Sequence, residues 1–298
     1  HPLPDRQSVA AGERLERWLA EIPPGPLLAL ISGGASACVE APAPGITLDD
    51  LIATHRRLLA SGLPIHQVNA VRKQISRLKG GGALRATGGR LPRILVLLLS
   101  DVPGDDPAVI ASGPFMADAT SFEAAKRVET VVLGSARTAT SAVAAEARRR
   151  GLQAVEGGLE GEAVQAAREL VERGRALSGA GVALVLGGET TVTLRGEAGH
   201  GGRNQELALA AARELAGGTG ELVFTLATDG EDGPTRHAGA TVDGATWEAV
   251  RRAGVDPEAA LARHDSGTAL AAAPGALLQT GPTGTNVGDL AVYLRVSP

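Results

Sequence analysis

The chain has 298 residues, of which 44% are hydrophobic and 21% charged, and a formal net charge of −4; this excludes a disordered or fibrous protein and fits a globular chain of one or two domains. Six aromatic residues and no basic excess leave neither the stacking platform nor the electrostatic footprint that nucleic-acid binding needs. A single cysteine, Cys38, excludes an intrachain disulfide framework, no apolar run reaches the ~18–20 residues that span a bilayer, and no signal-peptide pattern opens the chain, so a cytoplasmic protein without a membrane partner is expected.

Leu27 to Ser32 and Ile94 to Ser100 are apolar runs leading into Gly33-Gly34 and into Asp101, as buried parallel strands do. Between them Leu48 to Ser61 and Ile65 to Lys79 carry apolar residues at helical spacing, with Asp49 and Asp50 early in the first and basic residues late in the second. A helix over Phe122 to Val128 is predicted to run into a strand at Val131 to Gly134 with only Glu129 and Thr130 between them. That is short for an αβ connection and predicts residues missing near 128–130. Strands over Val182 to Leu186, Thr191 to Leu194, Leu222 to Ala227 and Leu290 to Val296 alternate with helices over 138–150, 161–175 and 204–216. The alternation predicts an α/β fold, with a mixed second sheet because the tail is β-rich and Thr191 follows its neighbour after a tight turn. Arg173 to Gly181, small and polar, is the expected interdomain linker.

The 40 glycines, about twice the usual ~7%, gather where strands end. Ser32-Gly33-Gly34-Ala35-Ser36 is a strand-to-helix turn whose N–H groups could converge on an anion. Ser36 is no hydrolase nucleophile, because position 38 of a G-x-S-x-G elbow is Cys. Asn69, Arg72 and Lys73 share one side of a helix, and Lys79-Gly80-Gly81 follows. Asp101 opens an acidic, Pro- and Gly-rich loop beyond a strand, the edge where α/β sheets bind ligands. The second half repeats the pattern with Gly187-Gly188-Glu189-Thr190, with Arg203-Asn204-Gln205-Glu206 opening a helix, with Asp229, and with Thr283-Gly284-Thr285-Asn286. From the residues alone each turn is equally an anion cradle or ordinary loop chemistry. The histidines show no zinc spacing and read as surface or structural, Cys38 reads as a small buried residue, and both G-x-G-x-x-G and Walker A are missing.

These motifs carry a resemblance. HPLPD at 1–5, SGG-x-S at 32–36, HQVNAVRK at 66–73, KGG at 79–81, SDVPGDDPAVIASGP at 100–114, GGETTV at 187–192, GGRNQE at 201–206, TDGEDGPT at 228–235 and TGPTGTNVGDL at 280–290 together resemble the glycerate 2-kinases of the MOFRL type, formerly often labelled hydroxypyruvate reductases. The resemblance covers almost the whole chain. It implies two three-layer α/β domains around a cleft that holds the active site, here 1–174 (Rossmann-like, mainly parallel) and 175–298 (MOFRL, mixed sheet), and transfer of the γ-phosphoryl of ATP to the 2-hydroxyl of D-glycerate with Mg²⁺. It makes Arg203 the catalytic candidate. Ser32, Gly33, Gly34, Ser36, Asn69, Arg72, Lys73, Asn204 and Glu206 become candidates for the substrate. Lys79, Gly80, Gly81, Gly187, Gly188, Glu189, Thr190, Thr283, Gly284, Thr285 and Asn286 become candidates for the nucleotide phosphates, and Asp101 and Asp229 for the metal. The pattern departs from the family in two places: an N-terminal segment with a glycine-lysine turn, and several tens of residues where Glu129 meets Thr130. Both are read as residues outside the sequence in hand, which opens without Met. The competing readings are an NAD(P)H-dependent hydroxypyruvate reductase, which the missing dinucleotide fingerprint disfavours, and a non-catalytic small-anion-binding protein. The oligomeric state stays open, a homodimer included.

Overall fold

The computed structural model describes residues 3–63, 65–116, 126–194 and 196–296. The chain divides into two compact units, His1–Leu133 and Gly134–Pro298.

In the first unit, helix α1 (Arg6–Glu21) starts where the Asp5 carboxylate accepts the Ser8 backbone N–H at 2.8 Å, a capping box. Gly12 lets α1 lie on the Glu40 backbone, since a Cβ there would sit 2.1 Å from the Glu40 carbonyl oxygen. Strands β1 (Leu27–Ile31), β2 (Ile94–Leu99) and β3 (Val128–Gly134) form one sheet in that order, with Leu27 opposite Ile94 and Ile31 opposite Leu98 in the parallel β1–β2 pair. Four short helices accompany it: α2 (Ala35–Cys38), α3 (Leu48–Ala60), α4 (Ile65–Gln74) and α5 (Gly82–Ala86). One face of the sheet packs Ile94, Val96 and Leu98 against Leu19, Leu78, Leu84 and Phe115. On the other face Leu28, Leu30, Val131 and Leu133 are exposed. Helix α4 stops at Gln74 instead of running to Lys79, because residues 75–77 turn to pair with 41–43: Ala43 donates to the Ile75 carbonyl and Arg77 to the Ala41 carbonyl. Most of the predicted 122–128 helix lies outside the described residues. Val128 to Thr130, however, is strand rather than helix end and junction, anchored where Ile94 donates to the Arg127 carbonyl. Cys38 is exposed, since the single turn of α2 gives its inward position to Ala37.

The second unit is built on six strands in the order β4-β5-β9-β6-β7-β8, namely β4 (Gln153–Leu159), β5 (Gly181–Gly188), β6 (Glu221–Ala227), β7 (Gly239–Asp243), β8 (Leu277–Leu278) and β9 (Asp289–Val296). The β4–β5 pair is parallel and every other pair antiparallel, so the sheet is mixed as expected. Helices α7 (Ala163–Ala176) and α8 (Arg203–Leu215) bury their alanine- and leucine-rich faces on one side, joined by α9 (Thr246–Arg252), α10 (Pro257–Ala262) and α11 (Ser266–Ala271). Helix α6 (Ala136–Arg149) covers the other side with Ala144 and Ala147 against Val185 and Val292. Three expectations change here. Residues 134–174, assigned by the sequence to the first domain, belong to the second unit because β4 pairs along β5. Arg173–Gly181 is then a tied connection inside one unit rather than a linker, its carbonyls at Arg175, Leu177 and Gly179 held by the Arg295 guanidinium. Thr191–Leu194 forms no strand either: the Glu162 carboxylate accepts from the Thr191 and Thr193 hydroxyls and the Thr193 N–H, fixing the segment to the start of α7.

Candidate active site

In the first unit the predicted residues converge at the carboxyl ends of β1 and β2. The Asp101 carboxylate lies so close to Gly33 that a Cβ there would meet its Oδ2 at 1.9 Å, so a larger residue in the turn after β1 would displace the Asp101 side chain. Gly34 adopts φ 79°, the left-handed conformation glycine takes without cost. Ser36 Oγ donates to Ser112 Oγ at 2.8 Å, Ser112 donates on to Asn69 Oδ1 at 3.0 Å, and Asn69 Nδ2 donates to the Val109 carbonyl. Ser112 and Asn69 are buried, and Arg72 stands beside Asn69 with its pKa lowered by burial. Ala111 and Ser112 both hold positive φ, 51° and 61°, a strained backbone of the kind that collects at functional sites. Sequence reasoning quoted this segment without singling out Ser112.

Lys79, Gly80 and Gly81 are used differently from the expectation. The Lys79 ammonium is buried against the Glu40 carboxylate, with burial pressing its pKa down and Glu40 pulling it back up. The Gly80 and Gly81 N–H groups donate to the carbonyls of Ser112 and Gly113 at 2.9 and 2.8 Å, leaving no backbone donor there for a phosphate. Lys73 packs its aliphatic stem over Gly80.

The second unit gathers its charged residues at one end of the sheet. Gly187 and Gly188 close β5, each where a side chain would clash, with Thr140 at 2.5 Å and the Leu159 carbonyl at 2.1 Å. Beyond them stand Glu189, whose N–H donates to the Leu159 carbonyl, and the buried Thr190. Arg203, first residue of α8, donates through Nε to Asp289 Oδ2 at 2.5 Å and through Nη2 to Asp289 Oδ1 at 3.3 Å, and pairs through Nη1 with Glu189. Burial works against the guanidinium charge, but the Asp289 hydrogen bonds and the Asp289, Glu189 and Asp232 charges outweigh it and hold the pKa above the usual arginine value. Asp289 opens β9 opposite both Gly188 and Ala227. Burial pushes its pKa up, and Arg203 pulls the other way. Asp229 follows β6, its charge felt at Asp289 and its carbonyl accepting the Thr283 N–H. The Thr283 hydroxyl donates to the Thr228 carbonyl at 2.6 Å and accepts the Thr285 N–H, while Asn286 Oδ1 accepts the Gly288 N–H. Gly284 turns the loop at φ 77°.

Asn204 and Glu206 are drawn into the fold. Asp232, missed in the sequence although it stands in TDGEDGPT, is buried and accepts the Asn204 and Gln205 backbone N–H groups at 3.0 and 2.8 Å. The start of α8, which on the sequence reading is open to an anion, is occupied by the protein's own carboxylate. Burial raises the Asp232 pKa, opposed by those N–H donors. The Asn204 amide also reaches Asp232, at 3.3 Å. Glu206 is buried against His264 Nδ1 at 2.8 Å, its pKa raised by burial with the imidazole opposing.

Fold and site thus define a two-unit α/β protein with a half-exposed arginine set among carboxylates at a strand end. Comparison with known proteins fills in the family. Residues 1–144 match a family described as a domain of unknown function (DUF4147), and residues 182–289 match the MOFRL family. A glycerate 2-kinase of Pyrococcus horikoshii is 39% identical over 344 residues, covering 100% of this chain and 77% of the relative. A putative hydroxypyruvate reductase of Agrobacterium vitis is 38% identical over 99% of this chain and 86% of its own length. The crystal structure of a glycerate kinase from Thermotoga maritima matches with a TM-score of 0.87 at 35% identity, covering 99% of this chain and 79% of that one. The chain belongs to the MOFRL-containing glycerate kinase family.

Proposed function

We propose that the protein is a glycerate 2-kinase, moving the γ-phosphoryl of ATP to the 2-hydroxyl of D-glycerate to give 2-phosphoglycerate and ADP. The observation that carries the reading to particular residues is Arg203. It is half-exposed, three of its five N–H donors are engaged by Asp289 and Glu189 among the described residues, and two remain for an anion. Phosphoryl transfer asks the protein for positioning and charge stabilisation, and a fixed guanidinium supplies both. Ser36, Ser112, Asn69 and Arg72 form a second polar cluster, within the first unit.

The kinase reading implies a divalent cation carried in with ATP. Asp289, Glu189 and Asp232 act on the Arg203 guanidinium, and the Asp229 charge is felt at Asp289. Among the described residues no group of three or more His, Cys, Asp or Glu is placed to hold a metal. That donor set suits Mg²⁺ carried in on phosphate oxygens and completed by one or two carboxylates, Asp229 first among them and Asp101 in the other cluster. Bound there, Mg²⁺ would neutralise phosphate charge during transfer.

The test is substrate-dependent turnover. ADP release that requires both D-glycerate and Mg²⁺-ATP supports the kinase. Oxidation of a reduced nicotinamide by hydroxypyruvate, without ADP release, would replace it with the reductase reading. Among the described residues no helix is long and apolar enough to cross a membrane.

A further inference from the structure

Two carboxylates hold Arg203, and they do not hold it alike. Asp289 is 2% exposed and takes the guanidinium side-on, through Nε and Nη2, in the planar two-point geometry that fixes both the direction and the rotation of an arginine. Its own backbone is fixed, because Asp289 is the first residue of a central strand and pairs on both sides. Glu189 is 40% exposed and meets Arg203 at Nη1, from the segment that leaves β5. A charge pair needs one acid; a second, exposed one at the tip of the guanidinium lies where an incoming anion would bind.

We infer that Asp289 is the positioning residue of Arg203 and that Glu189 is a place-holder, its carboxylate covering the Nη1 edge until the anionic group of a substrate displaces it. The inference rests on the kinase reading. It gives the two acids opposite roles: Asp289 keeps the guanidinium aimed when substrate is bound, and Glu189 competes with the substrate. Glu189 belongs to the glycine turn that the sequence assigned to phosphate, so the turn touches the reaction through this side chain rather than through glycine N–H groups.

The experiment compares the unmutated chain with Asp289→Asn and Glu189→Gln in steady-state kinetics, with thermal midpoints measured alongside. For Asp289→Asn, which keeps the shape and removes the charge, kcat should fall about 10²-fold, as for loss of an aimed transition-state donor, while KM changes less than about threefold. Glu189→Gln should lower the KM of one anionic substrate severalfold, and whether that substrate is D-glycerate or ATP tells which group takes the place of Glu189. A merely structural pair would give falls in thermal midpoint without this split, and that result would overturn the inference. Should Asp289→Asn not fold, Arg203→Lys carries the test. An ammonium cannot make the side-on fork, so its kcat should be as low as that of Arg203→Ala, and near-unmutated activity would overturn the positioning role. Absence of ADP release in the unmutated chain would count against the kinase reading itself; ADP release with an unaffected Asp289→Asn variant would count against this inference alone.

Discussion

Lys79 and Arg203 are both cations paired with carboxylates near glycine-rich turns, and the fold treats them in opposite ways. The Lys79 ammonium is 3% exposed, meets a Glu40 that is 0% exposed, and has a pKa lowered by its own burial. The Arg203 guanidinium is 35% exposed, meets two acids where one would neutralise it, and has a pKa raised by them. A buried one-to-one pair completes a core. We propose that the half-exposed cation, held by two acids with donors to spare, faces a ligand. The same KGG and GGE glycines look alike in sequence, and the difference appears once the partners of each backbone N–H are known.

The comparison can be broken at several points. Lys79→Met should cost about 3–5 kcal/mol in denaturant unfolding, because Glu40 is left buried and alone; combining it with Glu40→Leu should restore most of that loss, and a single change costing under about 1 kcal/mol would deny the pair its structural role. Arg203→Ala should lower the thermal midpoint, because the buried Asp289 loses its partner, while kcat/KM of the folded variant falls about 10²- to 10³-fold. A variant that unfolds while its surviving fraction stays fully active would make Arg203 another Lys79. Gly174→Ala tests how closely the second unit is packed. A Cβ there would lie 2.2 Å from Tyr293 Cδ1, and the overpacking should cost about 1–3 kcal/mol by equilibrium unfolding.

Acid sensitivity should trace in part to His55, which is 0% exposed, with Nδ1 at 2.9 Å from the Leu51 carbonyl. Burial lowers its pKa below the ordinary 6.5, with the Leu51 carbonyl opposing. The unfolded chain therefore binds the proton more readily, so His55 contributes stability above the unfolded value that is lost as pH falls below about 6.5 and through the depressed folded pKa. Thermal midpoints of the unmutated chain and of His55→Gln, taken from pH 7.5 down to pH 5, should differ in slope in that window; parallel curves would remove His55 from the account. The smallest effect belongs to Leu30→Lys on the exposed face of the first sheet. At 72% exposure it should change unfolding free energy by no more than about 0.5 kcal/mol, and a much larger loss would mean that this face is covered in solution.

Much of this architecture was legible in the sequence because periodicity and strand-end glycines report local structure directly. The helices over 48–60, 136–149, 163–176 and 203–215, and the strands that became β1, β2, β5, β6 and β9, stand within a few residues of their predicted ends. Apart from Cys38, exposed by the single turn of α2, the main failures come from long-range pairing. Nothing local says that residues 75–77 bridge to 41–43 or that Glu162 pins Thr191 and Thr193. Nor does anything local say that β4 pairs with β5 and carries the unit boundary back to Leu133. The candidate site divides in the same way. Arg203, Glu189, Asp229 and Thr283 were singled out because they lie in or beside glycine turns, Arg203 at the start of a helix. Asp289 and Asp232 stood in motifs already quoted but gave no sign that one would fork Arg203 and the other would cap α8.

The central claim is that this chain phosphorylates the 2-hydroxyl of D-glycerate, and ³¹P NMR of the product tests it most directly. After complete turnover of D-glycerate with Mg²⁺-ATP, the account predicts one new phosphomonoester resonance that coincides with added 2-phosphoglycerate and fails to form with Arg203→Ala. A resonance coinciding with 3-phosphoglycerate, or an unchanged ATP spectrum, would contradict it.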